Sequence, residues 1–128
     1  MEHLATLEAL RRFCRDTSRP LGLVPTMGSL HAGHLSLLRQ AREDCATVVA
    51  TLFVNPSQFG DQADYDDYPK DFEADSSVFQ DAGVDAIFAP EVRAMYPYGF
   101  STSVQVGGPA LSLEGAARPG HFDGVATV

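Results

Sequence analysis

An unbroken apolar run near the middle of the chain, residues 47–54 (TVVATLFV), constrains the fold more than any other segment. It is rich in β-branched residues and shows no strict alternation of apolar and polar positions. That pattern is typical of a strand buried on both faces of a parallel sheet. Parallel strands need crossover connections, usually helical, so the run predicts an α/β protein.

The segment before this strand carries the first half of such a pattern. Residues 4–14 have apolar side chains at helical spacing and predict an amphipathic helix. Residues 21–25 (LGLVP) predict a short strand, and the turn-rich residues 26–29 lead into a second helical pattern that runs to Cys45. One strand–helix–strand unit is then complete.

The segment after the strand repeats the alternation. Residues 55–68 are acidic, contain Gly and Pro, and predict a loop; a helix follows from about residue 69 to residue 82. Residues 84–89 (VDAIFA) predict another apolar strand, and residues 101–106 a further one. The β-α-β-α-β order predicts an open, Rossmann-like parallel sheet.

Charge and composition exclude several kinds of partner. The chain has 9 Lys and Arg against 17 Asp and Glu, a net charge of -8, whereas a nucleic-acid-binding face must be basic. No apolar run reaches the roughly 20 residues of a membrane span, and the start lacks a signal-peptide pattern, so a cytoplasmic protein with small-molecule substrates is expected. Cys14 and Cys45 are widely spaced and predicted to be reduced thiols, and no metal site is assigned.

The most informative stretch is PTMGSLHAGH, residues 25–34, because it lies where a buried strand gives way to a helix. The first amides of a helix lack internal acceptors and can bind a phosphate if the backbone is allowed close, which Gly28 and Gly33 permit. His31 and His34 are three residues apart, a spacing that directs both imidazoles at the same phosphates. A purely structural histidine pair and a surface zinc site are the competing interpretations.

The motif in its setting resembles the H-x-G-H signature that class I aminoacyl-tRNA synthetases, small nucleotidyltransferases and pantothenate synthetases share. Residues 52–60 (LFVNPSQFG) resemble the pantothenate synthetase family specifically. Further blocks extend this similarity to nearly everything after Pro20, at residues 64–75, 82–85, 88–90, 95–97 and 113–128. Lys70 is a small departure, since the family commonly has Arg there, which would lose a bidentate fork.

The resemblance implies an ATP-dependent ligase that activates pantoate as an acyl adenylate and joins it to β-alanine, releasing AMP and pyrophosphate, with Mg²⁺ on the phosphates. His34 and His31 would be catalytic, with His34 the proton donor, and Gln58 would bind both pantoate and β-alanine. The residues expected around ATP are Met27, Gly28, Ser29, Leu30, His31, Ala32, Gly33 and His34. Asn55, Phe59, Arg118 and His121 are further candidates for the substrate pocket. For Arg118 and His121 a structural turn is an equal alternative.

The resemblance covers only an N-terminal portion of the family. Residues 1–128 are interpreted as an incomplete nucleotide- and pantoate-binding domain, without the C-terminal domain that supplies further phosphate-binding motifs. These residues alone are therefore expected to be inactive, and the full-length protein is expected to form a homodimer. Two alternatives stay open: a nucleotidyltransferase with the same signature, and a non-catalytic metal-binding module built on His31, His34 and a nearby carboxylate.

Overall fold

The computed structural model describes the backbone of residues 1–128 and the side chains of all of them except Pro109. Within this description, four strands and seven helices follow one another. The strands are β1 (Glu2–Leu4), β2 (Leu21–Val24), β3 (Thr47–Thr51) and β4 (Ala86–Phe88). The helices are α1 (Leu7–Asp16), α2 (Ala32–Asp44), α3 (Gln62–Asp67), α4 (Phe72–Asp81), α5 (Val92–Met95), α6 (Glu114–Ala117) and α7 (His121–Thr127). Two 3-10 turns cover Pro56–Gln58 and Gly108–Leu111.

The strands form one parallel sheet in the order β1-β4-β3-β2. Val49 of β3 lies beside Ala86 of β4, and Leu23 of β2 lies beside the same Val49 on the other side. This confirms the α/β class and the Rossmann-like parallel sheet. Because helices pack on both faces of this sheet, the apolar run of β3 is covered on both faces, as its sequence predicts.

Two apolar clusters cover the two faces of the sheet. Val48 and Ala50 of β3 pack on one face with Leu38 of α2 and Phe79 of α4. Val49 points to the other face, where its cluster includes side chains of α1. Alternate residues of one strand therefore serve opposite cores, which is why that strand contains no polar position between Thr47 and Thr51.

Side chains fix the helix ends that matter for the cavity described below. The Asp71 carboxylate accepts the Ala74 amide and begins α4. At the C-terminal end of α2, the Arg42 guanidinium donates to the Asp85 carboxylate at 2.7 Å and to the carbonyls of Cys45 and Ala46. These hydrogen bonds connect the C-terminal end of α2 to the residue that directly precedes β4. Among the described residues, no helix combines the length and apolar character of a membrane span.

The first predicted helix is wrong at its start. Leu4 belongs to β1, where it lies beside Phe88 of β4 and is buried. Helix α1 begins only at Leu7, because the Thr6 side chain accepts the Ala9 amide and caps it. Leu4 has helical spacing to Leu7, so periodicity alone could not separate the edge strand from the helix.

The strand predicted at residues 101–106 is also wrong. The amides of Val104 and Val106 donate to Thr127 Oγ1 and Asp123 Oδ1, both on α7. Since these donors bond to side chains of a helix, they are not available to a sheet partner. The segment lies against α7 instead of joining the sheet.

The loop predicted at residues 55–68 contains more structure than expected. Helix α3 lies within it, and Asp61 caps that helix by accepting the Ala63 amide. The predicted strand at 47–54 ends at Thr51, although the amides of Leu52 and Phe53 still bond to neighbouring carbonyls. The helix predicted from about 69 to 82 spans 72–81 in the structure.

Candidate functional site

A cavity of ≈ 480 Å³ opens at the carboxyl ends of β2, β3 and β4. Its wall comes from the segment that follows each strand: residues 25–28 after β2, Phe53 and Gln58 after β3, and Pro90 after β4. Parallel α/β sheets bind ligands at this edge, because the connecting loops there can vary without disturbing the core. The lining is mainly apolar, with Met95 and Val125 contributed by the later helices.

The turn after β2 is fastened to the end of β3. Thr26 donates from Oγ1 to the Thr51 carbonyl at 2.7 Å, and its amide donates to Thr51 Oγ1. Gly28 follows with φ +84° and Ser29 with φ +53°, so two successive residues lie in the left-handed region. That conformation is unfavourable for Ser and persists only where the surroundings hold it.

His31 and His34 form a reciprocal cap at the start of α2. The Gly33 amide donates to His31 Nδ1, and the His31 amide donates to His34 Nδ1. The ring centroids lie 4.1 Å apart. A backbone amide can only donate, so each Nδ1 accepts and the ring proton lies on Nε2. Both imidazoles therefore present Nε2–H as a donor.

Only one of the two histidines lines the cavity. His34 contributes to the wall, whereas His31 caps the helix beside it. Burial, and next the nearby His31, lower the pKa of His34, while the Asp75 carboxylate acts in the opposite direction. At neutral pH the His34 ring is accordingly a neutral hydrogen-bond donor. The prediction that His31 also faces the ligand phosphates stays a prediction.

A carboxylate from α4 occupies two amides of the predicted ATP-binding stretch that precede the α2 amides suggested by the sequence for a phosphate. Asp75 accepts the Ser29 amide at 3.1 Å and the Leu30 amide at 3.2 Å, and it is 7% exposed. A Cβ on Gly28 would lie 2.5 Å from Asp75 Oδ2, and a Cβ on Gly33 would lie 2.8 Å from the His31 ring. Both glycines are thus required by the packing of the turn itself.

Asp75 was missed by sequence reasoning, although a signal existed. Asp75 and Phe79 are four residues apart, at helical spacing, and both are buried, so Asp75 lies on the buried stripe of α4. A carboxylate on such a stripe needs buried hydrogen-bond donors, and its own sequence neighbourhood offers none.

The turn after β3 presents Gln58 to the cavity through a network of neutral groups. Asn55 is almost fully buried; its Nδ2 donates to the Gly124 carbonyl and to Gln58 Oε1, both at 3.0 Å. Asn55 Oδ1 accepts a hydrogen bond from the Ser57 amide. Because the Gly124 carbonyl can only accept and the Ser57 amide can only donate, these two backbone partners determine the orientation of the Asn55 side-chain amide. Gln58 must therefore turn its oxygen to Asn55. Its Nε2 has no hydrogen-bond partner among the described residues, and Gln58 lines the cavity.

Helix α7 supports this turn from behind. The His121 Nδ1 lies 2.9 Å from the Gln58 carbonyl. A Cβ on Gly124 would collide with the Ser57 carbonyl, so helix and turn meet backbone to backbone. Tyr96 Oη donates to Asn55 Oδ1 at 2.7 Å and completes the network. His121 and Asn55 thus contact Gln58 in the structure, whereas Gly124 and Tyr96 were not anticipated.

The remaining sequence candidates lie beside the cavity. Phe59 packs edge-on against Tyr65 and Tyr68 and is not part of the lining. The Arg118 guanidinium lies 5.8 Å from the Phe59 ring centroid. Tyr68, which does line the cavity, has a pKa raised by burial and then by the Asp75 carboxylate. Among the side chains described, no Lys or Arg lines the cavity.

The predicted ATP residues are thereby placed in three groups. Met27, Gly28 and His34 line the cavity, Ser29 and Leu30 bond to Asp75, and Ala32 with Gly33 forms the first turn of α2. The metal-binding alternative finds no support, since the described residues bring together no group of three His, Cys, Asp or Glu side chains suited to a metal ion.

The parallel sheet with a polar turn and a capped helix at its carboxyl edge defines a protein with a Rossmann-like nucleotide-binding fold. Comparison with known proteins makes the assignment specific. The sequence model described as pantoate-beta-alanine ligase matches residues 1–128. The chain therefore belongs to the pantoate-beta-alanine ligase family.

Individual relatives agree with this. A pantothenate synthetase of Dinoroseobacter shibae is 52% identical over 128 residues, which is all of this chain and 46% of the relative. One from Thermus thermophilus is 59% identical over 109 residues, 84% of this chain and 40% of the relative. The chain thus spans about half the length of the relatives that it matches.

Solved structures give the same result. A crystal structure of pantothenate synthetase from Thermus thermophilus superposes with a TM-score of 0.89 at 52% identity, covering 99% of this chain and 46% of that one. A pantoate-beta-alanine ligase from Francisella tularensis, complexed with beta-gamma ATP and beta-alanine, gives a TM-score of 0.88 at 34% identity. It covers 97% of this chain and 49% of that one.

Proposed function

We propose that residues 1–128 supply the pantoate-binding and part of the ATP-binding surface of a ligase that condenses pantoate with β-alanine. Pantoate would first react with ATP to give pantoyl adenylate and pyrophosphate; β-alanine would then displace AMP to give pantothenate. The observation that carries the proposal is the unpartnered Nε2 of Gln58, a donor on a residue only 9% exposed, in a cavity that His34 also lines.

The cavity suits pantoate in shape and chemistry. Pantoate has a gem-dimethyl group, two hydroxyls and a carboxylate, so its site needs an apolar wall and a few fixed polar groups. Phe53 and Met95 supply apolar wall. Because Asn55 holds the Gln58 oxygen, Gln58 offers a donor, which fits an oxygen of pantoate. Asn55 acts here through Gln58, since its own polar atoms are bonded within the protein.

In the adenylation step, negative charge would develop on phosphate oxygens near His34. A carboxylate oxygen of pantoate attacks the α-phosphorus, and the bond to the pyrophosphate oxygen breaks. The His34 Nε2–H can donate to the phosphate oxygens as their charge grows, which stabilises the transition state. In the second step the β-alanine amine attacks the acyl carbonyl beside Gln58, and the bond to AMP breaks. The same His34 donor then serves the departing phosphate oxygen.

Mg²⁺ would accompany ATP and neutralise its phosphates. The described residues provide no cage of carboxylates for it, and the cavity lining contains neither Asp nor Glu. The chemistry of the donor set therefore assigns most Mg²⁺ ligands to phosphate oxygens and water, which is the usual arrangement for this ion.

The remaining proposals concern the protein as a whole. The net charge of -8 favours small-molecule substrates over nucleic acid. A homodimer of the full-length protein is proposed from the family resemblance, and a cytoplasmic location is proposed from the sequence pattern.

The test joins residues 1–128 to the part of the Thermus thermophilus relative that follows its matching region. With ATP, Mg²⁺, pantoate and β-alanine, the joined protein should release AMP and pantothenate in equal amounts. Omission of pantoate should abolish AMP release. Residues 1–128 alone should release no AMP above background, because their cavity lining supplies no cation to the triphosphate.

Two results would contradict the proposal. A joined protein that is folded by circular dichroism yet transfers AMP to a phosphorylated acceptor would be a nucleotidyltransferase. A folded joined protein that binds ATP but shows no pantoate-dependent AMP release would also end it. A Leu37→Ala variant of the joined protein is the control, because that exposed side chain of α2 lies outside the cavity lining.

A further inference from the structure

The turn after β2 binds a carboxylate that belongs to the protein itself. The Asp75 carboxylate reaches it from helix α4, 46 residues away in sequence, and bonds the Ser29 amide through Oδ2 and the Leu30 amide through Oδ1. Each carboxylate oxygen therefore holds one amide. Two neighbouring amides that converge on one anion are the arrangement by which such turns bind phosphate.

We propose that Asp75 is a positioning residue of this turn: it occupies the amides of Ser29 and Leu30 in place of a phosphate, holds His34 towards the cavity, and so directs the nucleotide phosphates to the imidazole. The part of this proposal that concerns the nucleotide rests on the proposed function. The part that concerns the turn stands on the geometry of the protein alone.

The backbone of the turn shows why it needs such a support. Ser29 has φ +53°, a conformation that a residue with a Cβ adopts at a cost, and Gly28 before it has φ +84°. The Asp75 oxygen fills the space in which a side chain on Gly28 would lie. The capping box of His31 and His34 begins directly after Leu30, so displacement of the bonded amides would also displace His34.

The charge of Asp75 decides where a phosphate can bind. Two anions cannot share the same pair of amides, and at close range in a partly buried site their repulsion is strong. The side-chain donor that this segment adds to the cavity lining is His34, whose Nδ1 accepts from the His31 amide and whose Nε2–H has no partner among the described residues. The phosphates are therefore assigned to the imidazole side of the turn.

Asp75 also sets the protonation of His34 together with its other neighbours. Burial and, next, His31 from the same helix end lower the pKa of His34, and Asp75 from α4 raises it. Tyr68, from the segment after α3, lines the same cavity as a neutral phenol. Removal of the Asp75 charge should accordingly lower the pKa of His34 further.

The experiment compares Asp75→Asn with Asp81→Asn in the joined protein, which carries residues 1–128 and the following part of the Thermus thermophilus relative. Both changes remove one carboxylate from α4, but Asp81 is exposed and lies at the end of that helix. NMR would follow amide hydrogen exchange at Ser29 and Leu30 and the pH titration of the His34 ring, both without nucleotide. In Asp75→Asn, exchange at the two amides should rise about tenfold or more and the His34 pKa should fall. In Asp81→Asn neither should change.

A titration of the joined protein without either change, using ATP and Mg²⁺, tests the assignment of the phosphates. The largest chemical-shift changes are expected at the His34 ring and the Met27 and Gly28 amides, with the Ser29 and Leu30 amides nearly unmoved. Asp75→Ala, which frees those two amides, should move them on addition of inorganic pyrophosphate.

Equal exchange and equal His34 titration in Asp75→Asn and Asp81→Asn would overturn the positioning role. Dominant shifts of the Ser29 and Leu30 amides in the unmodified protein would overturn the assignment of the phosphates, with no variant required to fold. If ATP produces no shift anywhere, the proposed function is contradicted, while the exchange and titration results still decide the role of Asp75.

Discussion

The two turns that meet at the cavity are held by opposite means. The turn after β2 depends on a charge, because the Asp75 carboxylate binds two of its amides from a distant helix. The turn after β3 depends on neutral groups, since Asn55 bonds the Gln58 side chain and the Gly124 carbonyl. Each turn presents one donor to the cavity, His34 in the first and Gln58 in the second.

The difference between the two turns matches the chemistry proposed for the substrate beside each of them, which is ATP at the turn after β2 and pantoate at the turn after β3. A carboxylate that holds a turn beside a nucleotide also acts electrostatically, because it repels phosphate from the amides that it binds and changes the pKa of the neighbouring imidazole. A neutral support beside pantoate leaves the local charge unchanged and only orients an amide. Variants on the first side should therefore alter rate and pH dependence, and variants on the second side should alter pantoate binding and stability.

The largest effect is expected from His34→Ala in the joined protein. Loss of a donor that strengthens as phosphate charge develops typically lowers the rate about 100- to 1,000-fold. Rapid-quench measurement of pantoyl adenylate should show this loss, while ATP binding measured by calorimetry changes little. His31→Ala should also be damaging, because it removes the side-chain acceptor of the Gly33 amide in the first turn of α2, while the His31 backbone amide that bonds His34 remains. Adenylate formation within a few-fold of the parent would refute the role of His34.

A smaller effect, confined to pantoate, is expected from Gln58→Ala. Loss of one hydrogen bond to a charged or polar ligand weakens binding by about 1.5–3 kcal/mol, or roughly 10- to 100-fold. The Kd for pantoate should rise by that factor and the Kd for ATP should stay the same. Ser101→Ala, an exposed position remote from the lining, provides the control. Equal weakening of both substrates would show that the two turns do not divide the substrates as proposed.

The third effect is on the stability of the protein, and it tests whether α7 packs against the turn after β3. Gly124→Ala would press a methyl group against the Ser57 carbonyl, and overpacking of this kind costs about 1–3 kcal/mol. Urea denaturation should show the loss. Gly107→Ala is matched to it, because nothing lies within 4 Å of the position of its added Cβ. Equal stability of the two variants would mean that α7 does not press on the turn.

The sequence predicts those parts of the site whose signal is local. The run at residues 47–54 identifies β3, and the pair His31 and His34 identifies the start of α2, because each pattern lies within one element. Asp75 and Gly124 lie 46 and 69 residues from the atoms that they bind, so nothing in their neighbourhood indicates those partners. The strand predicted at 101–106 is wrong for the same reason, since its amides bond to side chains of α7.

The smallest effect is expected from Tyr96→Phe, which removes only one hydroxyl from the neutral network. Tyr96 Oη donates to Asn55 Oδ1 at 2.7 Å, and Asn55 Oδ1 also accepts from the Ser57 amide and hydroxyl. Because other donors remain on that oxygen, the loss should be near the ordinary value for one hydrogen bond, about 1 kcal/mol. Tyr98→Phe is the control, as that side chain is 93% exposed.

The variant also separates orientation from mere stability on this side of the cavity. Asn55 keeps its backbone partners in Tyr96→Phe, so the Gln58 amide should keep its orientation and pantoate affinity should change less than threefold, in contrast to Gln58→Ala. Urea denaturation and a pantoate titration of the same joined protein measure the two quantities. A large loss of pantoate affinity without a loss of stability would place Tyr96 itself in contact with the substrate and would contradict the assignment of that contact to Gln58.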